Sequence, residues 1–153
     1  MGRENVLLIG ASGMLGSNIV EVLIADGNYN IRALLREGKP AFAKRLNRIG
    51  VQPVLGDAMR STTLVPAMKD VDIVISALGN DTATFVSSHR NLIEAADVTG
   101  VSRLIPSDFC LEFFKLEDWE NFNLAMRKKV ASLFDGKRVR PIHVLNGAFI
   151  GVM

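Results

Sequence analysis

Short apolar runs alternate with amphipathic segments along the chain. The stretch "NVLLIG" (5–10) is continuously apolar, as expected of a strand that is buried on both faces of a sheet. The next segment, 15–27, instead repeats apolar residues at helical spacing and ends at Gly27, a residue that favours a left-handed helix stop. The beginning of the chain is therefore predicted to form a strand followed by a helix.

The same alternation continues through the rest of the sequence. Further strands are predicted over 30–36, 51–57, 71–79, 102–109 and 140–149. Further helices are predicted over 41–50, 61–70, 84–100 and 119–136. Strands that alternate with helices in this way predict a mainly parallel sheet of about six strands with helices on both faces. Because crossovers between parallel strands are right-handed, we expect a doubly wound, three-layer αβα domain (a Rossmann fold) over 1–153.

Composition and charge narrow the class of protein. The 153 residues are 48% hydrophobic, which suits one domain with a proper core. Lys and Arg number 18 and Asp and Glu 16, a net charge of +2, so a nucleic-acid interface on the basic stretch 127–140 is poorly supported. The single cysteine, Cys110, excludes an internal disulfide framework. No leader or membrane-spanning run is visible, and a cytoplasmic location is expected.

Three glycines at a strand-to-helix corner suggest close approach of a ligand to the backbone. Gly10, Gly13 and Gly16 recur every third position in "GASGMLG" (10–16). Gly10 would allow a sharp turn, Gly13 would admit a pyrophosphate, and Gly16 would let the helix pack on the sheet. The free N–H groups and the positive end of the helix would face the anion. The expected donors are the backbone N–H groups of Ser12, Met14 and Leu15, and the Ser12 hydroxyl.

The ends of the other strands supply further candidate binding residues. Small or apolar residues that follow the fourth strand would let the backbone run along an adenosine and its ribose; these are Ala77, Leu78 and Gly79. Ser107 follows the fifth strand and would lie near the nicotinamide end of a bound dinucleotide. Ligands of doubly wound sheets bind beyond these carboxyl ends, where the strand order reverses.

The residue after the second strand indicates which dinucleotide fits. An acidic residue there would hold a ribose 2′-hydroxyl, whereas an arginine accommodates a 2′-phosphate. This strand ends in Arg36, whose guanidinium matches phosphate geometry, so NADP is expected in preference to NAD. Lys39 or Lys44 would supply a second cation. The alternative is a solvated arginine that pairs with Glu37.

The glycine spacing resembles that of atypical short-chain dehydrogenases/reductases, and further stretches resemble the NmrA-like family, which includes isoflavone-reductase-like enzymes. These stretches are "LLR" (34–36), "VLGDAMRSTTLVPAMKDVDIVISALG" (54–79), "LIEAADVTGVSRLIPSDF" (92–109) and "HVLNGAFIGVM" (143–153). The "PSDF" element is the most specific of them. The resemblance implies an NADP-binding oxidoreductase that transfers hydride to a small carbonyl or quinone. It also implies that Arg36 contacts the 2′-phosphate and that Asp57, also a common turn former, borders the adenine pocket.

Two lysines are the candidate catalytic residues. The resemblance implies a lysine on the helix after the fifth strand, and counting back from Pro141 gives Lys128, with Lys129 beside it. The alternative is a solvated helix face. Because Tyr29 is the only tyrosine and precedes the second strand, the Tyr–Lys mechanism of other short-chain reductases is excluded. Some relatives resemble redox sensors, so a non-catalytic regulator that acts through a protein partner remains the alternative function.

The remaining candidate groups are expected to be structural. Cys110 stands where the family commonly has a small residue, and we expect a buried thiol. His89 and His143 are expected to be packed, and no spacing suggests a metal site. Family members continue into a substrate-binding lobe, so this chain is expected to be the cofactor half alone. Its apolar end, 148–153, is expected to be covered, for example in a homo-oligomer.

Overall fold

The computed structural model describes residues 2–79, 81, 83–117 and 121–147. Across these residues, strands and helices alternate throughout. The strands are β1 (Glu4–Ile9), β2 (Tyr29–Leu35), β3 (Gln52–Leu55), β4 (Ile73–Ser76), β5 (Arg103–Ile105) and β6 (Arg140–Pro141). The helices are α1 (Met14–Asp26), α2 (Pro40–Arg48), α3 (Ser61–Ala67), α4 (Phe85–Thr99) and α5 (Phe122–Ser132).

The strands form a single parallel sheet whose order reverses beside β1. In the described part of the chain the order is β3-β2-β1-β4-β5-β6, and every neighbouring pair is parallel. The last residue of β1, Ile9, pairs with Leu34 of β2 and with Ser76 of β4. The carboxyl ends of these strands therefore meet at one edge, with the reversal point between β1 and β4. The prediction of a doubly wound fold is confirmed.

Both faces of the sheet are buried, as the continuous apolar strands predict. In β1, Leu7 and Ile9 pack in a core with residues of α3, α4 and α5. The alternate residues Val6 and Leu8 pack in a second core with residues of α1 and α2. Side chains of successive strand residues point to opposite faces, so the run "VLLI" serves both cores. The result is the expected three-layer αβα arrangement.

Glycines in the left-handed conformation end two of the helices. Gly27, after α1, has φ +77° and donates its N–H to Leu23 O. Gly100, after α4, has φ +80° and donates its N–H to Ala96 O. Glycine adopts this conformation without the steric penalty of a Cβ atom. The helix stop predicted at Gly27 is confirmed.

The last strand is much shorter than the sequence pattern predicts. The interval 140–149 is apolar enough for a strand, yet within its described part, 140–147, only Arg140 and Pro141 pair with β5. The chain makes one more bond to the sheet edge, from Ile142 N to Leu104 O at 3.0 Å. It then leaves the sheet, and Gly147 N donates to Cys110 O at 3.0 Å. Contacts with the loop after β5 therefore replace strand pairing over most of this interval.

Helix α5 is also shorter than the interval 119–136 predicted for it. Asn121 is the residue before its first turn, and its side-chain oxygen accepts a hydrogen bond from Leu124 N at 3.2 Å. Asparagine favours this capping position, which explains a start at Phe122. Residues 119 and 120 lie outside the described residues. So does the apolar end 148–153, on which the predicted homo-oligomer contact falls.

Candidate functional site

The glycine corner between β1 and α1 depends on two glycines for its fold. Gly10 has φ +87°, and a Cβ atom on it would lie 2.4 Å from the carbonyl oxygen of Ala77. A Cβ atom on Gly16 would lie 2.1 Å from the carbonyl oxygen of Gly10. Real Cβ atoms do not approach backbone this closely, so both positions exclude any side chain. Their predicted roles in the turn and in helix packing agree with this geometry.

Gly13 is different, because the fold does not require a glycine there. Its backbone is extended, with φ −81°, and a Cβ atom would meet only Gly10 O at 3.4 Å, an ordinary contact. Gly13 precedes the first turn of α1, which has no acidic residue and no side-chain cap. The first N–H groups of a helix have no partners within the helix, so this end can receive an anion. The missing side chain at Gly13 leaves the approach open.

A cavity of about 400 Å³ lies beside this corner, at the reversal point of the sheet; we call it the corner cavity. Eight of the residues predicted from the sequence line it: Gly10, Ser12, Gly13, Arg36, Asp57, Ala77, Leu78 and Gly79. Its wall also contains polar or flexible residues that the sequence does not indicate, which are Met59, Asp81, Thr84 and Ser88. They follow β3 and β4 in the chain, but nothing in their type or spacing distinguishes them.

Arg36 stands at the outer end of the corner cavity. It is exposed and also lines a smaller cavity of about 230 Å³ with Asp57 and Arg60. Lys39 lines the corner cavity, whereas Lys44 lines none of the cavities described here. Among the described residues no ion pair joins Arg36 to Glu37. The guanidinium is therefore available to an anionic ligand.

Asp57 serves the turn after β3 and also faces the corner cavity. Its carboxylate accepts a hydrogen bond from Met59 N at 2.9 Å, and its own N–H donates to Thr63 Oγ1 at 3.0 Å. These bonds are those of an ordinary turn-forming aspartate. Asp57 therefore both forms the turn and lines the corner cavity, two roles that the sequence left as alternatives.

A second cavity, of about 370 Å³, lies where β4 and β5 end; we call it the β5 cavity. Three of the predicted residues, Leu15, Leu78 and Ser107, line it, and Leu78 lines the corner cavity as well. The two cavities are therefore neighbours along the carboxyl edge of the sheet. Helix α5 and the residue before it contribute polar groups that sequence analysis missed: Asn121, Asn123 and Arg127.

Asp108 and Arg127 form the buried side of the β5 cavity. The Asp108 side chain is 1% exposed, and its Oδ2 atom lies 2.6 Å from His143 Nδ1. Arg127 is 6% exposed and donates from Nε to Asp108 O at 2.9 Å and from Nη1 to Asn123 O at 2.9 Å. Because Arg127 lies in the interior, the stretch 127–140 presents a weaker basic surface than its sequence indicates.

His89 connects helix α4 to the wall of the β5 cavity. It is 0% exposed, which confirms that it is packed, and its Nδ1 lies 2.8 Å from Phe85 O. A carbonyl only accepts, so Nδ1 carries the proton and Nε2 accepts from Ser107 N at 3.2 Å. Burial lowers the pKa of His89, an effect that Arg127 assists and that the Phe85 carbonyl and Asp108 oppose. The imidazole is therefore neutral.

The neutral state of His89 makes the stability of the domain sensitive to acid. Below the ordinary pKa of 6.5 the unfolded chain binds a proton that the folded chain excludes. We therefore expect the free energy of unfolding to be highest above this pH. Below it, the free energy of unfolding should fall by up to about 1.4 kcal/mol per pH unit. Urea unfolding between pH 7 and 5 measures this. His89→Gln, which cannot titrate, should flatten the profile, and an unchanged profile would show that His89 is not its source.

The two candidate catalytic lysines lie away from both cavities. Lys128 and Lys129 line a groove of about 720 Å³ between α4 and α5, together with Val86 and Phe122. The Lys128 ammonium donates to Leu116 O at 2.7 Å. The structure therefore brings ten of the twelve predicted cofactor residues to the two cavities, all but Met14 and Gly16, and does not bring these two lysines to them.

Cys110 lines the β5 cavity but has the character of an unreactive thiol. Burial raises its pKa, assisted by Asp108 and opposed by Arg127, so the protonated form is favoured. The described residues contain no cluster of three or more His, Cys, Asp or Glu suited to a metal ion. Within the same residues, no helix combines the length and the apolar character needed to cross a bilayer.

The strand order and the glycine corner together define a Rossmann-type domain of the dinucleotide-binding class. The chain belongs to the NmrA-like family, whose model matches residues 2–122, and the predicted resemblance is confirmed. It is 35% identical over 114 residues to phenylcoumaran benzylic ether reductase Pyrc5 of Pyrus communis, covering 70% of this chain and 36% of the relative. It is 27% identical over 160 residues to phenylcoumaran benzylic ether reductase IRL1 of Ginkgo biloba, covering 99% and 51%.

Two solved structures share the fold. The crystal structure of isoflavone reductase matches with a TM-score of 0.83 and 26% identity, over 98% of this chain and 51% of that one. The structure of AtPrR2 with NADP+ and (+)pinoresinol matches with a TM-score of 0.85 and 22% identity, over 97% and 51%. The chain thus spans about half the length of these structures, and from 36% to 51% of the two curated relatives.

Proposed function

We propose that this chain is the NADP-binding domain of an NmrA-like reductase. The observation that carries the proposal is the corner cavity, which places the open N-terminal end of α1 and the exposed Arg36 on one continuous surface. The relatives support it, since the two curated relatives given above are named as reductases and AtPrR2 was solved with NADP+. We also propose a cytoplasmic location, and the free thiol of Cys110 is compatible with a reducing compartment.

The residues of the corner cavity fit the parts of NADP in order. The N-terminal turn of α1, next to Gly13, would hold the pyrophosphate through backbone N–H groups. Arg36, with Lys39 beside it, would hold the 2′-phosphate, since a guanidinium forms charge-assisted bonds to phosphate oxygens. Asp57 would border the adenine. The wall formed by Ala77, Leu78 and Gly79 would lie along the ribose.

The β5 cavity would receive the nicotinamide ring and a small substrate. Leu15, Leu78 and Ser107 line it beside the corner cavity, which suits the second half of a dinucleotide. Bound NADPH supplies a hydride, so the substrate would be a carbonyl or quinone that accepts one. The buried Asp108 and Arg127 give this cavity a polar side that can orient a substrate oxygen. The reductase names of the relatives favour this function over the regulatory alternative.

Lys128 and Lys129 remain our candidate proton donors on family resemblance. Lys128→Ala and Lys129→Ala, made separately in a full-length form, test this role: if one of the lysines reaches the substrate, its variant loses at least about a hundredfold in turnover. NADPH affinity should stay within about twofold in both, because the two lysines line neither cavity. The assay follows the absorbance of reduced nicotinamide with a panel of small carbonyls and quinones.

The outcomes of this experiment separate the candidate functions. Full turnover in both variants would show that neither lysine is the proton donor. The polar side chains of the β5 cavity would then be the candidates. A wild-type protein that binds NADPH and reduces no member of the panel would favour the regulatory function, in which the bound dinucleotide alters a protein partner.

A further inference from the structure

A buried hydrogen-bond network lies beneath the wall that the two cavities share. Leu78 lines both cavities, and its carbonyl accepts a hydrogen bond from Ser107 Oγ at 2.6 Å. Ser107 in turn donates its backbone N–H to His89 Nε2 at 3.2 Å. The shared wall is therefore connected, through two hydrogen bonds, to a histidine that lines neither cavity.

The imidazole of His89 is held in one orientation. Its Nδ1 donates to Phe85 O, and its ring centroid lies 4.4 Å from that of the Phe85 ring. The Arg127 guanidinium covers the same phenyl ring, 5.1 Å from its centroid. Ser76, at the end of β4, places its hydroxyl 3.1 Å from Nε2. The lone pair of His89 Nε2 is therefore held between the ends of β4 and β5.

We propose that His89 is a positioning residue for the nicotinamide end of the site. It acts by accepting the Ser107 N–H bond, which sets the position of the wall shared by the two cavities. Without an acceptor the buried Ser107 N–H would be unsatisfied, and the loop after β5 would shift to find another partner. This inference rests on the proposed function, since it assigns the β5 cavity to the nicotinamide.

The residues that would hold the pyrophosphate and the 2′-phosphate have no such connection to His89. Gly13 and Arg36 lie on the β1 and β2 side of the reversal point, and neither contacts the histidine by any hydrogen bond of the described residues. A substitution of His89 should therefore weaken binding of the nicotinamide half of the dinucleotide and leave binding of the adenosine half unchanged. A general loss of folded structure would affect both halves together.

The test compares NADPH with 2′-phospho-ADP-ribose, which is the same ligand without its nicotinamide. Calorimetry measures both affinities in the wild type and in two variants of similar side-chain volume, His89→Gln and His89→Met. The glutamine carries an amide oxygen that can replace Nε2 as the acceptor, whereas the methionine thioether is a weak acceptor. Thr99→Val is the control, because it removes a hydroxyl-to-carbonyl bond at the far end of the same helix.

His89→Met is expected to weaken NADPH binding about tenfold, the effect of one buried hydrogen bond, and to leave 2′-phospho-ADP-ribose within about twofold. His89→Gln should restore NADPH affinity to within about threefold of the wild type, and Thr99→Val should change neither ligand. Equal losses for both ligands in His89→Met, or no loss for either, would overturn the positioning role alone. A wild type that binds neither ligand would overturn the proposed function, and this inference with it.

If His89→Met does not fold, the ¹⁵N spectrum of the wild-type protein tests the positioning role of His89. The ¹⁵N resonances of His89 Nε2 and of the Ser107 amide report their shared hydrogen bond. Both should shift when NADP+ is added, and neither should shift with 2′-phospho-ADP-ribose. Equal shifts with the two ligands, or none with either, would contradict the positioning role.

Discussion

Replacing Gly13 by valine is expected to abolish measurable NADPH binding while the domain remains folded. The backbone at Gly13 is extended, with φ −81°, and a Cβ atom would make only an ordinary contact at 3.4 Å. The folded state is therefore compatible with valine. The substitution should destabilise the domain by about 1 kcal/mol, because valine is less favourable than glycine at the position before a helix. The isopropyl group would stand where the pyrophosphate approaches the N–H groups of α1. We expect affinity to fall more than about a hundredfold, the result of losing the charge-assisted bonds.

Calorimetry measures the affinity of the Gly13→Val variant for NADPH. Urea unfolding measures whether the variant remains folded. Gly16→Ala is the matched control, because its Cβ atom would lie 2.1 Å from Gly10 O and must displace backbone. It should destabilise the domain by about 1–3 kcal/mol, the usual effect of overpacking. If Gly13→Val folds and binds NADPH with unchanged affinity, the pyrophosphate does not bind at this corner.

The second large effect is expected at Arg36. Arg36→Ala should weaken NADPH binding by about tenfold to a hundredfold, because a charge-assisted bond to phosphate contributes roughly 1.5–3 kcal/mol. NADH affinity should hardly change, since NADH carries no 2′-phosphate. Arg36 is exposed, so added salt should narrow the difference between the two cofactors in the wild type. Calorimetric titrations at two salt concentrations measure both effects.

Lys44→Ala provides the control for charge. It removes one positive charge from the neighbouring helix α2, and Lys44 does not line the corner cavity. NADPH affinity should therefore change by less than about twofold, the size of a screened long-range effect. A preference for NADPH that survives Arg36→Ala would transfer the role to Lys39, which lines the corner cavity as well.

The fold and the corner cavity were predictable because both depend on local sequence patterns. Apolar runs such as "NVLLIG" and helical repeats such as 15–27 specify a strand and a helix independently of the rest of the chain. Right-handed crossovers then restrict the order of the strands. Since the carboxyl ends of parallel strands meet at one edge, Gly13 and Arg36 could be assigned to the same cavity without a structure, and the family resemblance added Asp57.

The features that sequence analysis missed depend on contacts between distant residues. The interval 140–149 has the composition of a strand, but bonds such as Gly147 N to Cys110 O draw most of it away from the sheet. Arg127 and Lys128 are neighbours in sequence, yet a helical turn places the arginine at the β5 cavity and the lysine in another groove. The bond between Ser107 and His89 likewise joins residues 18 positions apart, and no local pattern indicates it.

Titration of the wild-type protein with NADPH and with NADH under the same conditions shows whether this domain binds NADP at its glycine corner through Arg36. We expect one binding site and an affinity for NADPH at least about tenfold above that for NADH. Equal affinities for the two cofactors, or no binding of either, would contradict it.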